Sequence, residues 1–216
     1  MEGDDNSMKL YVMRHGETDW NKERRLQGQA DIPLNESGRQ VARETAKGMA
    51  HIIFHAAYTS PLKRAEETAR LIIEQRNIPL QVDDRLKEMS FGPYEGLCCA
   101  KDKWEIPDEG FENFFFAPDQ YHPPEGADSF KTVINRVSSF IEEVVRIQPP
   151  DSNILVAGHG VVVGAFLAIA EKRSIAAFWE DRVQKNCAVN ILDAEDDKCR
   201  VVKKNIIFYS ENVKDL

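Results

Sequence analysis

The 216-residue sequence lacks a long hydrophobic run: its longest apolar stretch, residues 161–170, is too short to cross a bilayer. No hydrophobic leader opens the chain, so we expect neither a signal peptide nor a membrane anchor. Positive charge is also scarce, because 28 Lys and Arg residues face 36 Asp and Glu residues, a formal net charge of -8. This balance argues against nucleic-acid or membrane-surface partners, although a small anionic ligand can still bind in a locally positive pocket.

Cysteine is scarce as well, and none of the four cysteines has the spacing of a metal site or a disulfide framework. The adjacent pair Cys98 and Cys99 is followed only by Cys187 and Cys199, which favours reduced thiols in a cytoplasmic protein. Residues 1–7 are polar and acidic, and we expect a disordered tail or a remnant of cloning there, with Met8 as a candidate native start. Residues 8–216 have the size and composition of one globular domain.

Two strand-like segments each end in a histidine beside glycine. The apolar run at residues 9–13 leads into Arg14-His15-Gly16, and the run at residues 154–157 leads into Gly158-His159-Gly160. Ligands of α/β sheets bind at the carboxyl ends of the strands. We therefore expect these two turns to deliver their side chains to one crevice.

The rest of the chain alternates strand and helix patterns, which predicts a three-layer α/β/α sandwich with helices on both faces of the sheet. Thr18 and Asp19 are expected to cap a helical turn after the first motif. Longer helices are predicted from Glu36 into the fifties, from Ser60-Pro61 with proline in the first turn, over residues 129–147 and from Val161. Further strands are predicted at 56–59, 80–82, 188–192 and 201–208, the last two around an acidic turn at 193–197.

Residues 97–128 show no clean periodicity and are rich in aromatic residues and proline. A long irregular segment inside a compact domain is usually a lid or a binding loop. We therefore predict that this segment is a cap inserted over the site.

Five residues on predicted loops and helix starts could perform phosphoryl-transfer chemistry together. Arg14 and Arg64 can offer paired N–H donors to a tetrahedral dianion. A neutral His15 can attack phosphorus, with its tautomer fixed by a hydrogen bond to a backbone carbonyl. His159, when protonated, would stabilise the charge of the transition state. Glu88 could protonate the leaving alkoxide and then, as a carboxylate, activate water, so the scheme needs no metal and no cofactor.

The order of the motifs resembles that of the histidine phosphatase superfamily, the phosphoglycerate mutase-like proteins. The matching blocks span roughly residues 9–192 and fall in the family's order. They are Arg14-His15-Gly16-Glu17-Thr18 with Asn21; Leu26-Gln27-Gly28 with Asp31-Ile32-Pro33-Leu34; Ser60-Pro61-Leu62 with Arg64-Ala65; Leu86-Lys87-Glu88 with Gly92 and Glu95-Gly96; and Gly158-His159-Gly160.

The resemblance implies a role for each matched residue. It implies His15 as the phosphorylated nucleophile, Glu88 as the proton donor, and Arg14, Arg64 and His159 as the phosphate pocket. It further implies Asn21 as a phosphate contact and the backbone near Gln27 and Gly28 as pocket lining. The implied fold has a mixed, mostly parallel sheet, and the implied partner is a small phosphorylated metabolite.

The resemblance covers both phosphatases and cofactor-dependent mutases, and the predicted cap favours a phosphatase. Such mutases carry a longer cap, with a lysine near the position of Cys98 and Cys99 and an arginine pair deeper in. Residues 97–128 contain no arginine, and Lys101 and Lys103 are their only bases. An aromatic cap suits a phosphomonoester with an apolar or ring-bearing group.

Three alternatives to a phosphatase remain open at this point. They are a phosphoglycerate-type mutase, a non-catalytic protein that binds a phospho-ligand on the same fold, and a metal protein using His, Glu and Asp ligands. His51, His55 and His122 match no block and are predicted to be surface or packing residues. Neither the substrate nor the oligomeric state follows from the sequence.

Overall fold

The computed structural model of the chain describes residues 7–195 and 198–210. The predicted tail lies outside these residues except for Ser7, as do residues 196–197 of the predicted acidic turn. No helix within the described ranges combines the length and the apolarity needed to cross a membrane.

The described residues form one six-stranded mixed sheet in the spatial order β3-β2-β4-β1-β5-β6. Neighbouring strands from β3 to β1 pair in parallel, while β5 runs antiparallel to both β1 and β6, which confirms the mixed, mostly parallel sheet. The strands are β1 (Met8–Arg14), β2 (Ala56–Thr59), β3 (Leu80–Val82), β4 (Asn153–Gly158), β5 (Val189–Glu195) and β6 (Lys198–Ile206).

The helices begin at side-chain caps where the sequence offers them. Thr18, Asn35 and Ser129 each accept a hydrogen bond from a backbone N–H of the first turn that follows. The helices are α1 (Asp19–Lys22), α2 (Glu36–Gly48), α3 (Lys63–Ile73), α4 (Asn113–Phe116), α5 (Phe130–Ile147) and α6 (Gly160–Ala170).

Helices cover both faces of the sheet, as predicted. Side chains alternate along β1, so Leu10 and Val12 belong to the core that contains the apolar face of α5 and most of α6. Tyr11 and Met13 point to the opposite face, into the core formed with α2 and α3. The carboxyl ends of the parallel strands β1, β2, β3 and β4 thereby lie at one edge, between the two helical layers.

Three predicted boundaries are wrong. Helix α2 ends at Gly48 rather than in the fifties, because the Arg76 guanidinium binds the carbonyls of Met49 (2.7 Å) and Ile52 and holds the chain in a turn there. Helix α3 begins at Lys63 with Leu62 as its N-cap, so Pro61 precedes the helix instead of occupying its first turn.

The third difference concerns the acidic stretch after residue 192. Strand β5 continues to Glu195, so residues 193–195 belong to a strand and not to a turn, and β6 begins at Lys198. Asp193 is tolerated in the strand because its carboxylate pairs with Lys9 at 3.1 Å and with Arg200 at 2.7 Å.

Residues 97–128 fold into single helical turns that are held by aromatic packing. Phe111, Phe114 and Tyr121 are buried in the same core as Phe130 of α5. The Phe114 ring stacks on Phe130 with 5.2 Å between centroids, and the indole N–H of Trp179 donates to the Phe114 carbonyl at 2.6 Å. The segment is thus joined to the body of the protein by its own hydrophobic side chains.

Candidate active site

The two predicted histidine turns meet at the carboxyl edge of the sheet because β1 and β4 are neighbouring parallel strands. Arg14 pairs with Gly158 in the register, and the His15 N–H donates to the Gly158 carbonyl at 3.0 Å. The ring centroids of His15 and His159 are 5.3 Å apart. The two turns therefore bring the two imidazole rings together at this edge.

The His15 ring is held in one tautomer. Its Nδ1 lies 2.6 Å from the Gly16 carbonyl oxygen, which can only accept, so Nδ1 carries the proton and Nε2 keeps its lone pair. Burial lowers the pKa of His15 well below 6.5, and the positive charges of Arg64 and Arg14 lower it further. A neutral imidazole with an available Nε2 is the form required of a nucleophile.

Gly16 allows this turn to pack closely. Its N–H donates to the Thr68 hydroxyl at 2.9 Å, and a Cβ at this position would lie 2.7 Å from the Gly38 carbonyl oxygen. A larger residue would therefore push the carbonyl that orients His15 away from its place.

Arg14 and Arg64 lie beside His15; Arg64 is fully buried and Arg14 is partly exposed. Arg64 donates to the carbonyls of Ala30 (2.7 Å) and Gly28 (2.6 Å), and Arg14 donates to the carbonyl of Gln184 (2.7 Å). Within the described residues, the Nε atom of each arginine is buried without a hydrogen-bond partner. Burial lowers the pKa of Arg64 to about 10, so it remains protonated at neutral pH. Two adjacent cations, each with a buried N–H group that has no partner among the described residues, have the chemistry needed to bind an anion.

The Glu88 carboxylate is held by two backbone N–H groups. One oxygen accepts from Met89 at 2.9 Å and the other from Val161 in the first turn of α6 at 3.2 Å. Burial raises the pKa of Glu88, an effect opposed by these two N–H groups and by the charges of Arg64 and Arg136. A carboxyl group with a raised pKa can hold a proton in one step and release it in the next.

His159 is fully buried at the N-cap of α6, and neither ring nitrogen has a hydrogen-bond partner among the described residues. Burial lowers its pKa well below 6.5, and Arg64 and His15 lower it further. The sequence-based scheme gives this ring a positive charge, whereas the surroundings in the structure keep it neutral at pH 7.

A pocket of about 250 Å³ opens above this cluster. His159 is not among its lining residues, and its ring lies next to that of His15. The lining includes seven of the eight residues that the sequence nominated: Arg14, His15, Asn21, Gln27, Gly28, Arg64 and Glu88.

The secondary candidates differ in how they are held. The side-chain oxygen of Asn21 accepts from the backbone N–H and the hydroxyl of Thr18, both at 3.1 Å, in a reciprocal helix cap. Gln27 is buried, and its side-chain oxygen has no partner within the described part of the chain. Gly28 adopts a positive φ of 51°, which turns its carbonyl to accept from Arg64.

No sequence pattern indicates the polar residues that bind the main chain next to His15. The Asn186 amide donates to the His15 carbonyl at 2.9 Å, and the Tyr209 hydroxyl donates to the Asn186 carbonyl at 2.9 Å. Buried Asn190 donates to the side-chain oxygen of Gln184 at 2.7 Å. The backbone carbonyl of Gln184 is the group that accepts from Arg14. These residues act on main-chain groups and match no block.

Arg136 of α5 was also missed, and it supports the segment that carries Glu88. Its guanidinium donates to the carbonyls of Arg85 (2.9 Å) and Glu88 (3.1 Å), and to that of Lys87. Asp128 lies 3.6 Å from it and accepts the Ser90 N–H at 2.9 Å. The chain on both sides of Glu88 is thereby fixed.

The walls of the pocket are largely aromatic. Residues 97–128 contribute Cys99, Phe114 and Phe115 to the lining. Lining residues that the sequence did not indicate are Trp20, Arg24, Arg25, Phe91, Trp179 and Val183. Within the described ranges, no group of three or more His, Cys, Asp or Glu side chains is placed to hold a metal ion.

Comparisons with known proteins agree with this geometry. The profile of the histidine phosphatase superfamily (branch 1) matches residues 10–207. The chain is 30% identical over 197 residues to the uncharacterized phosphatase PhoE of Bacillus subtilis, covering 91% of this chain and 94% of that protein. It is also 30% identical over 196 residues to the probable phosphoglycerate mutase GpmB of an Enterobacter species, covering 88% and 86%.

Solved structures give the same result. The structure of Bacillus stearothermophilus YhfR superimposes with a TM-score of 0.84 at 31% identity, covering 96% of this chain and 100% of that one. The relatives therefore match along nearly their whole length, and their names include both phosphatases and mutases.

Proposed function

The chain belongs to the histidine phosphatase superfamily, and we propose that it hydrolyses phosphomonoesters of small metabolites through a phosphohistidine formed on His15. One observation carries the proposal. The Gly16 carbonyl fixes the proton of His15 on Nδ1, and this leaves Nε2 free beside the unused N–H groups of Arg14 and Arg64.

In the first half of the reaction, the phosphate lies between Arg14 and Arg64, with Asn21, Gln27 and Gly28 lining its site. The Nε2 lone pair of His15 attacks phosphorus, so that a P–N bond forms as the P–O bond to the leaving group breaks. Glu88 gives its proton to the leaving oxygen, which departs as the alcohol. The raised pKa of the buried Glu88 supports this role.

In the second half, water replaces the alcohol. Glu88, now a carboxylate, accepts a proton from the water as its oxygen attacks phosphorus and the P–N bond breaks. His15 leaves with its Nε2 lone pair restored, and inorganic phosphate is the product. His159 acquires a proton when the phosphate dianion is beside it, and then stabilises the transferring group.

The composition of the pocket supports hydrolysis over mutase chemistry. A mutase must retain a bisphosphate between two transfers, which requires basic side chains around the second phosphate. From residues 97–128 the pocket receives Cys99, Phe114 and Phe115, and none of these is basic. Of the two arginines beyond Arg14 and Arg64, Arg25 is already paired with Glu23 and Glu105, which leaves Arg24 alone for a second anion. The walls therefore favour a phosphomonoester whose alcohol is apolar or carries a ring.

The test is release of inorganic phosphate, in the presence of a chelator, from a panel of an aryl phosphate, 3-phosphoglycerate, phosphoserine and sugar phosphates. We expect release that His15→Ala abolishes and that His122→Ala, a change at an exposed histidine outside the pocket, leaves intact. Loss of activity in the chelator would favour the metal-protein alternative.

The same panel separates the remaining alternatives. Isomerised phosphoglycerate that appears only with a bisphosphate primer would establish a mutase. Tight binding of phosphomonoesters with neither product would establish a non-catalytic binding protein.

A further inference from the structure

The pocket contains more positive charge than one phosphate group requires. Four arginines line it, and Glu88 is the only carboxylate among its lining residues in the described part of the chain. Arg14 and Arg64 flank His15. Two cations, Arg24 and Arg25, remain at the outer part of the pocket, in a protein whose net charge is negative.

Arg25 is already neutralised by the protein. It pairs with Glu23 at 2.6 Å and with Glu105 at 3.0 Å, and it donates to the Gly96 carbonyl at 2.8 Å. Its guanidinium thus ties the end of α1 to residues 96–105 and is not free for a ligand.

Arg24 is different, because its backbone is fixed while its side chain is free. Its φ of 54° lies in the left-handed region, where a non-glycine residue is uncommon. The N–H of Arg24 donates to Asn21 at 3.1 Å, and its carbonyl accepts from the N–H (2.9 Å) and the thiol (3.1 Å) of Cys99. The exposed guanidinium makes no hydrogen bond or ion pair within the described residues.

Apolar side chains line the pocket together with Arg24. Trp20, one helical turn earlier, lines the same pocket, and so do Cys99 and Phe115. A cation held beside rings and a thiol suits a ligand with an apolar or aromatic body and one anionic end.

We propose that Arg24 is a second anion subsite, and that the substrate is a phosphomonoester with a carboxylate separated from the phosphate by an apolar or ring-bearing spacer. This inference rests on the proposed function, since the phosphate must lie at His15. A guanidinium binds a carboxylate through two parallel N–H donors, and its single charge matches that of the carboxylate. A second phosphate dianion would need a second free cation, and Arg25 is already paired.

The test compares two substrates of the same shape, 4-carboxyphenyl phosphate and 4-carbamoylphenyl phosphate, by their ratio of kcat/KM. For Arg24→Gln we expect this carboxylate-to-amide ratio to fall about tenfold, as for the loss of one charged hydrogen-bonded pair. The change should lie mainly in KM, because binding to the carboxylate is the same in the ground state and the transition state. Arg24→Lys keeps the charge and loses the paired N–H donors of the guanidinium, so its ratio should lie between those of the wild type and Arg24→Gln.

Lys22→Gln is the matched control, because it removes a positive charge two residues before Arg24, at a residue outside the pocket lining. We expect its ratio to equal that of the wild type. The subsite would be overturned if Arg24→Gln left the carboxylate-to-amide ratio unchanged, or if Lys22→Gln lowered this ratio equally. In either case continued hydrolysis of the amide substrate would leave the proposed function standing. Failure of the wild type to hydrolyse either compound would instead contradict the proposed function, and the subsite with it.

Discussion

Replacement of Glu88 by glutamine tests the proposed reaction most directly. The two carboxylate oxygens accept from the N–H groups of Met89 and Val161, whereas an amide has one oxygen. One backbone N–H would therefore lose its partner, at a cost of about 1–3 kcal/mol. This is a fraction of the ~5–15 kcal/mol of a typical domain, so Glu88→Gln should fold.

The rate should fall by an amount that depends on the leaving group. General acid–base catalysis contributes about 10²–10⁴-fold, and we expect a loss of that size for an alkyl phosphate, whose alkoxide must be protonated. The first step with 4-nitrophenyl phosphate should be much less affected, because nitrophenolate leaves without a proton. Hydrolysis of the phosphohistidine still requires the Glu88 base, so the intermediate should accumulate.

A stopped-flow assay of Glu88→Gln with 4-nitrophenyl phosphate should therefore show a burst of nitrophenolate equal to the enzyme concentration, followed by slow turnover. Inhibition by inorganic phosphate should not weaken, since Arg14 and Arg64 are untouched. Asp84→Asn, which changes an exposed carboxylate on the same segment, is the control. Wild-type rates with alkyl phosphates, or equal losses with both substrates and no burst, would refute the assignment of Glu88.

Three further predictions concern the groups around this acid. Inorganic phosphate should bind with uptake of a proton at pH 7.5, because the dianion raises the lowered pKa of His159. Calorimetry in two buffers with different ionisation enthalpies should show this uptake, and His159→Gln should reduce it. Folding lowers the pKa values of His15 and His159, so their contribution to stability is complete above about pH 6.5 and is lost as the pH falls. The melting temperature should therefore drop between pH 7 and 5, and the drop should be smaller in His159→Gln. Arg136→Met removes a cation that lowers the pKa of Glu88, so the limb of the pH–rate profile that reports Glu88 should move to higher pH, and Arg136→Lys should move it less. A limb that does not move in Arg136→Met would contradict this positioning role.

The fold and the cluster of candidate site residues could be predicted from the sequence because each depends on a local pattern. Apolar runs that end in Arg14-His15 and in Gly158-His159 mark the strands whose carboxyl ends meet, and caps such as Asn35 and Ser129 mark helix starts. A parallel sheet then brings residues that are distant in the chain to one edge.

The supporting residues could not be predicted because their partners are main-chain atoms. Asn186 holds the His15 carbonyl, and Arg136 holds the carbonyls around Glu88, yet both read in the sequence as ordinary polar positions. The end of α2 could not be predicted for the same reason, since Arg76, which lies beyond the end of α3, donates to the Met49 carbonyl. The charge of His159 depends on burial, which no local pattern reports.

Because side chains of residues 97–128 belong to the central core, changes of substrate preference in this segment are coupled to stability. Phe114 is 3% exposed and packs against both Phe130 and Trp179, so the residue that shapes one wall of the pocket also holds the protein together. A smaller side chain there would widen the pocket only by opening a cavity in the core. Phe115 and Cys99 line the same pocket but are only partly buried, so they contribute less than Phe114 to the packing of the core. Lineages that acquire new substrates should therefore vary first at these two positions, with Phe114 changing only where stability has been gained elsewhere.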